Sequence, residues 1–309
     1  MGWRDLYPYE SRWMDLGGPR MHYVKEGQGS AYVMLHGNPT WSFMYRDLIR
    51  EAVAAGHMAV APDLVGCGLS DKPRGWDYCL ASHIDCIEKL IDEELGLEKF
   101  TLVMHDWGGG IGMGYAVRHP EKIERIVLMN TAAFPSTDCP KRIYLCKCPL
   151  LGPVLVQGLN LLVETALKRG PCRKLPQDVE AGYRYPYGSW GDRAGVLSFP
   201  RDIPLCRRHR TWAVLSGIES RLHLLGDKPI SLIWGERDFC FHMGFFRRWR
   251  QIYPNASAWS FPDASHYLLE DAGERIMPII LGLAQEPGSA PCAGGKSQNS
   301  SLGTCDAQQ

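Results

Sequence analysis

Along this chain short apolar runs alternate with longer stretches in which apolar residues recur every three or four positions. Residues 13–24 (WMDLGGPRMHYV) predict a hairpin turning at Gly17-Gly18-Pro19. Ala31 to Leu35 predicts a buried strand ending at His36-Gly37-Asn38-Pro39, and Val60 to Asp63 predicts a second, running into Gly66-Cys67-Gly68. Between them Trp41 to Ala55 carries helical spacing. The alternation continues through Phe100–Met104 and Arg125–Met129, lapses, and resumes with Ile230–Trp234 and Ala256–Phe261. Short apolar strands alternating with helices predict an α/β fold, a mostly parallel sheet flanked by helices.

The lapse is itself informative. From about Phe134 to Leu225 there is no clean strand pattern, only Cys- and Pro-rich turns, one helix-like run (VLVQGLNLLVETALKRG, 154–170) and an aromatic patch from Tyr183 to Trp190. We therefore expect residues 1–133 and 226–285 to form the core domain. Residues 134–225 are expected to form an inserted helical cap over a pocket, since insertions commonly carry specificity. Residues 286–309 are Gly-, Ser- and polar-rich with almost no apolar anchor, and predict a disordered tail.

Candidate chemistry enters at Phe100–Pro120, FTLVMHDWGGGIGMGYAVRHP. A β-rich run meets an abrupt turn at His105-Asp106-Trp107-Gly108-Gly109, an apolar Gly-rich helix follows, and Pro120 stops it. This is the pattern of the nucleophile elbow of α/β-hydrolases, with Asp106 where serine is common. A carboxylate there can attack carbon and form an ester. Taken singly, Asp106 also fits a helix N-cap, Asp238 a turn, His266 a partly buried core histidine and Asn38-Pro39 a turn. Taken together, Asn38, Asp106, Trp107, Asp238 and His266 all fall at predicted strand ends, where open parallel sheets gather functional groups. The order nucleophile, acid, histidine is the α/β-hydrolase order. His266 would take a proton from water, Asp238 would orient the imidazole, and Asn38 and Trp107 would donate N–H groups to a developing anion. His36, His105, Asp63 and Asp71 are expected to be structural.

Composition narrows the picture by exclusion. With 309 residues, 45% of them hydrophobic, the chain can bury a large core. Lys plus Arg equals Asp plus Glu at 34 each, which offers no basic excess for nucleic acid. Eleven scattered cysteines fit reduced thiols in a cytoplasmic protein. Cys146-x-Cys148 lacks a partner pair at zinc-ligand spacing, so neither metal nor cofactor is expected. The first residues, MGWRDLYPYESRW, contain no apolar signal region, and Leu6 stands where myristoylation requires Ser or Thr. No run approaches 18 apolar residues, so no membrane span is expected.

HGNPTWSFMYRDLI, PDLVGCGLSDKP, HDWGGGIGMGYAVRHPEKIERIVLMN and WGERDFCF with FPDASHYLLEDA resemble the haloalkane dehalogenase superfamily of α/β-hydrolases over about residues 5–285. The resemblance implies Asp106 as nucleophile, His266 as base, Asp238 as acid, and Asn38 with Trp107 as the anion-binding pair. Some members carry the acid as Glu after the sixth strand, where this chain has Asn130; the late-Asp pattern fits instead. Met104 stands where a small residue is often found. LMNTAAFP, the YPYGSW segment, FPRDIPL and WGERDFCF further resemble β-lactone decarboxylases of bacterial long-chain olefin biosynthesis. That resemblance implies conversion of a long-chain cis-β-lactone to a cis-alkene and carbon dioxide through a covalent intermediate, with other enzymes of that pathway as candidate partners. A haloalkane dehalogenase using the same residues is the alternative. An epoxide hydrolase, drawing its acid from Tyr183, Tyr185 or Tyr187, and a non-catalytic binding protein are remoter.

Overall fold

A computed structural model describes residues 2–284; the predicted tail lies outside the described residues. Eight strands form one sheet: β1 (Arg12–Asp15), β2 (Arg20–Glu26), β3 (Ala31–Leu35), β4 (Met58–Pro62), β5 (Phe100–Asp106), β6 (Ile123–Thr131), β7 (Ile230–Gly235) and β8 (Ser257–Phe261). Their order across the sheet is β1-β2-β4-β3-β5-β6-β7-β8. The β1–β2 hairpin joins β4 antiparallel, and every pairing from β4 onward is parallel. All seven residues of β5 are buried, as a strand covered on both faces must be.

Helices α1 (Arg46–Ala54), α2 (Leu80–Lys89) and α3 (Trp107–Ala116) follow β3, β4 and β5, so their connections are the crossovers that parallel strands require. One apolar layer joins α2 and α3 to the sheet, and a second joins α1 to its opposite face. Helix α3 lies unusually close to the strands because glycines line its inner side. A Cβ at Gly109 would overlap the Thr131 side chain, and one at Gly112 would overlap the sulfur of Met104. The bulky Met104 in the elbow strand is thus accommodated by Gly112, its complement across the interface.

Between β6 and β7 the described chain is helical: α4 (Lys141–Cys146), α5 (Leu151–Pro153, continuing as a π turn through Val154–Gly158), α6 (Leu161–Arg169), α7 (Gln177–Arg184), α8 (Ala194–Asp202) and α9 (Arg210–Glu219). The single helix expected over 154–170 is broken. Asn160 adopts φ 54°, a left-handed turn that a side-chain amide tolerates better than most. These helices do not all lie over the strand ends. Leu215 and Ile218 of α9, with Leu222 and Leu225, join the core layer against α2 and α3. Helix α10 (Met243–Ile252) completes that layer, and α11 (Leu268–Ile280) the opposite one.

Candidate active site

The sharpest backbone feature is Asp106, the last residue of β5, with φ 51° and ψ −124°. A non-glycine residue there stores strain of order 1–3 kcal/mol, and its neighbours hold it in place. Thr131 Oγ1 donates to the Asp106 carbonyl at 2.5 Å. Gly37 provides clearance for the carboxylate, which would overlap any Cβ at that position. The backbone N–H of Asn38 donates to Asp106 Oδ1 at 2.7 Å. That leaves Oδ2 facing His266, whose Nε2 is 3.8 Å away.

His266 lies in the loop between β8 and α11. Its Nδ1 is 2.8 Å from Asp238 Oδ2. Asp238 follows β7 and accepts the N–H groups of Cys240 and Phe241 on its other oxygen, at 2.6 and 3.1 Å. The loop is anchored on both sides: Asp271 accepts from Ser265 N at 2.9 Å and from Cys172 N at 2.8 Å, and Tyr267 N donates to Gly170 O at 3.0 Å. The histidine ring is therefore located by the sheet, by α11 and by the insertion together.

These groups set one another's ionisation. Burial favours the neutral imidazole of His266, but the Asp238 and Asp106 carboxylates outweigh it and push its pKa to about 9. Burial raises the Asp106 pKa, opposed by His266 and by the N–H groups of Asn38 and Trp107. Asp238 is also buried, yet the imidazole and its hydrogen bonds hold it below the usual carboxylate range. With its pKa at about 9, His266 holds its proton at neutral pH between the carboxyl groups of Asp238 and Asp106.

Asn38, Asp106, Trp107 and His266 line one cavity of about 400 Å³, otherwise walled mainly by apolar groups such as Phe134, Leu162, Leu215, Phe241 and Phe245. Asp238 sits behind His266, away from the cavity wall. Trp107 Nε1 has no acceptor among the described residues, so its N–H is available to a ligand. The Asn38 side chain is partly committed: Nδ2 donates one hydrogen to Val196 O of α8 at 3.2 Å, which leaves the amide's second hydrogen.

The structure thus brings all five sequence-predicted residues together. Asn130 lies apart in role, exchanging hydrogen bonds with Gly235 N and O at 2.7 and 3.1 Å and so lacing β6 to β7. Asp63 caps two turns through Ser42 N and Leu69 N while pairing with His22. Asp71 bonds to Arg20, and His36 ties Gly37 O to Leu64 N. His105 does more than fill space. Its Nε2 donates to the His266 carbonyl at 2.9 Å and so ties β5 to the His266 loop, a contact that no spacing argument could have found. None of the three insertion tyrosines reaches the cavity. Tyr183 OH bonds Glu270, Tyr185 OH takes a hydrogen from Arg4, and Tyr187 OH sits between Gly68 N and Thr40 O. An epoxide-opening acid is therefore missing from those positions.

The fold and the sequence are similar to those of known α/β-hydrolases. Residues 33–144 match the model of the alpha/beta hydrolase fold family. The chain is 42% identical over 284 residues to a cis-3-alkyl-4-alkyloxetan-2-one decarboxylase of Shewanella oneidensis, covering 89% of this chain and 88% of the relative. It is 34% identical to haloalkane dehalogenase 2 of Mycobacterium bovis, covering 89% of this chain and 95% of that one. Among solved structures, an ancestral haloalkane dehalogenase superposes with a TM-score of 0.80 at 26% identity, over 88% of this chain and 97% of that one.

Proposed function

Because the chain belongs to the α/β-hydrolase family, in the branch shared by oxetanone decarboxylases and haloalkane dehalogenases, we propose that it decarboxylates long-chain cis-β-lactones with Asp106 as a covalent nucleophile. One observation carries the reading: a strained carboxylate on the floor of an apolar cavity, with one oxygen held by a backbone N–H and the other open beside a histidine. The identity to the Shewanella oneidensis enzyme selects the lactone among substrates that such a carboxylate could attack.

In this mechanism Asp106 Oδ2 attacks the ring carbon that bears the lactone oxygen. The C–O bond breaks, its electrons pass to the released carboxylate, and ring strain is relieved. The N–H groups of Trp107 and Asn38 receive that carboxylate. The bond from the carboxylate to its neighbouring carbon then breaks, its electrons form the alkene, and carbon dioxide leaves. The Asp106–carbon bond breaks in the same step and returns its electrons to Asp106. Displacement inverts one centre and elimination proceeds anti, so the two combine to give a cis-alkene from a cis-lactone. Water and proton transfer are not required. His266 keeps its proton and, with the Asn38 backbone N–H, stabilises Asp106 as the leaving group.

The apolar walls favour collapse of the carboxylate to neutral carbon dioxide, since burial disfavours the charged form. Helices of residues 134–225 act as the cap that supplies much of this wall. Haloalkane hydrolysis, the second reading, is favoured by the free Trp107 N–H, a donor for halide. It would require His266 to lose its proton once ester formation has removed the Asp106 charge.

The two routes differ in their use of water. Purified protein should convert a dialkyl cis-β-lactone to alkene, release no halide from bromo- or iodoalkanes, and leave Asp106 unlabelled after many turnovers in H2-18O. Rapid halide release together with 18O in the Asp106 carboxylate would establish the hydrolytic reading instead.

A further inference from the structure

The insertion carries a surface feature that the reaction does not use. Leu150, between α4 and α5, is 88% exposed, and Val154 and Leu159 on the following turn are 50% and 59% exposed. Single exposed leucines are common on protein surfaces, but a run of them on adjoining short helices is not. In the chain this ridge lies between two half-exposed residues of the cavity wall. Leu145 of α4 and Leu161 of α6 line the cavity and are themselves 47% and 43% exposed.

Charge is distributed to match. Residues 132–229, between β6 and β7, contain fifteen Lys and Arg against eight Asp and Glu, while the whole chain is balanced at 34 each. The insertion is therefore positive by seven charges and the remainder of the chain negative by as many. On the helices that bear the ridge and the mouth, Lys141, Arg142, Lys168 and Arg169 are exposed and make no ion pair among the described residues. Arg201 reaches the same edge through a 3.2 Å bond to Pro149 O.

We infer that this face docks on an anionic lipid bilayer, with the leucine ridge in the acyl boundary and the basic residues among the headgroups, so that the cavity mouth opens toward the membrane. Apolar residues beside unpaired lysine and arginine are the combination by which a protein surface binds an anionic membrane without spanning it. The unpaired basic residues flanking the ridge match an anionic surface, which a bilayer of anionic lipid presents over its whole area. Docked in this way, the protein takes a water-insoluble substrate from the lipid phase rather than from solution. That purpose rests on the reading of a long-chain apolar substrate, but the docking itself does not.

The test is flotation of the full chain with phosphatidylcholine vesicles, with and without phosphatidylglycerol, and no substrate present. Binding is expected only with phosphatidylglycerol, weakening as salt rises. Leu150→Glu with Leu159→Glu, and separately Lys168→Glu with Arg169→Glu, should each weaken it by at least about tenfold. Neither pair lines the cavity, so turnover of detergent-dispersed lactone should remain at the parent level while turnover of vesicle-embedded lactone falls. Absence of vesicle binding overturns the inference, as does equal binding to both vesicle types that the variants leave unchanged. Self-association that Leu150→Glu abolishes, without vesicle binding, would assign the ridge to a second copy of the chain. Loss of all turnover with vesicle binding intact would instead fault the proposed reaction and leave the docking standing.

Discussion

Replacing Asp238 by Asn removes one charge and leaves nearly every contact in place. The Asn oxygen can still accept the N–H groups of Cys240 and Phe241, so the amide nitrogen must face His266 Nδ1 where a carboxylate stood. That reverses the bond: the imidazole must now accept at Nδ1 and carry its proton on Nε2. At 2.8 Å and an effective dielectric constant of about 20, the lost attraction for the imidazolium is about 6 kcal/mol, or roughly four pK units. Burial, no longer opposed by Asp238, then takes His266 from about 9 to below its ordinary value. At neutral pH the variant holds a neutral ring beside Asp106 and loses the cation that stabilises the leaving carboxylate. A loss of about 10²–10³ in kcat follows, the range for removing one anion-stabilising group from a buried site. The assay is kcat for alkene formation from pH 5 to 10, with the His266 ring followed by NMR. Activity should recover in part as pH falls. A variant within tenfold of the parent, with an unchanged alkaline limb near pH 9, would refute the charge argument.

Asp106→Ala should lower turnover by at least about a thousandfold while leaving substrate binding measurable, as expected for the group that bonds to carbon; intact-protein mass spectrometry should then find no covalent adduct. Trp107→Phe keeps the ring against Phe199 and deletes only the N–H, so kcat should fall about a hundredfold, as for other single anion-stabilising donors, with melting temperature unchanged. Gly112→Ala forces a methyl group into the sulfur of Met104; overpacking of this kind costs about 1–3 kcal/mol, visible in urea unfolding and partly relieved by a second substitution, Met104→Ala. The His266 pKa of about 9 lies above the ordinary 6.5, so its contribution to stability is complete below pH 6.5 and lost as pH rises through 9. Unfolding free energy should therefore decline between pH 7 and 10, and His266→Gln should flatten that decline.

The parallel α/β core was legible in the chain because strand and helix periods are local properties. Runs such as Phe100–Met104 and Ile230–Trp234 are apolar enough to be buried on both faces, and glycines and prolines mark where they turn. The order Asp106, Asp238, His266 was legible for a related reason: strand ends of a parallel sheet converge, so residues far apart in sequence can be assigned to one place. Other features depended on contacts that no local pattern encodes. The left-handed turn at Asn160 interrupts a run whose apolar spacing is continuous, because spacing reports the buried face and not the backbone path. His105, alone in sequence a core histidine, is tied to the His266 loop by a hydrogen bond across 161 positions. The packing of α9 into the core layer and the withdrawal of the three tyrosines from the cavity were likewise decided in three dimensions. Local sequence dictates which backbone a segment prefers and which face it buries; which side chains then meet depends on how the whole chain shares one interior.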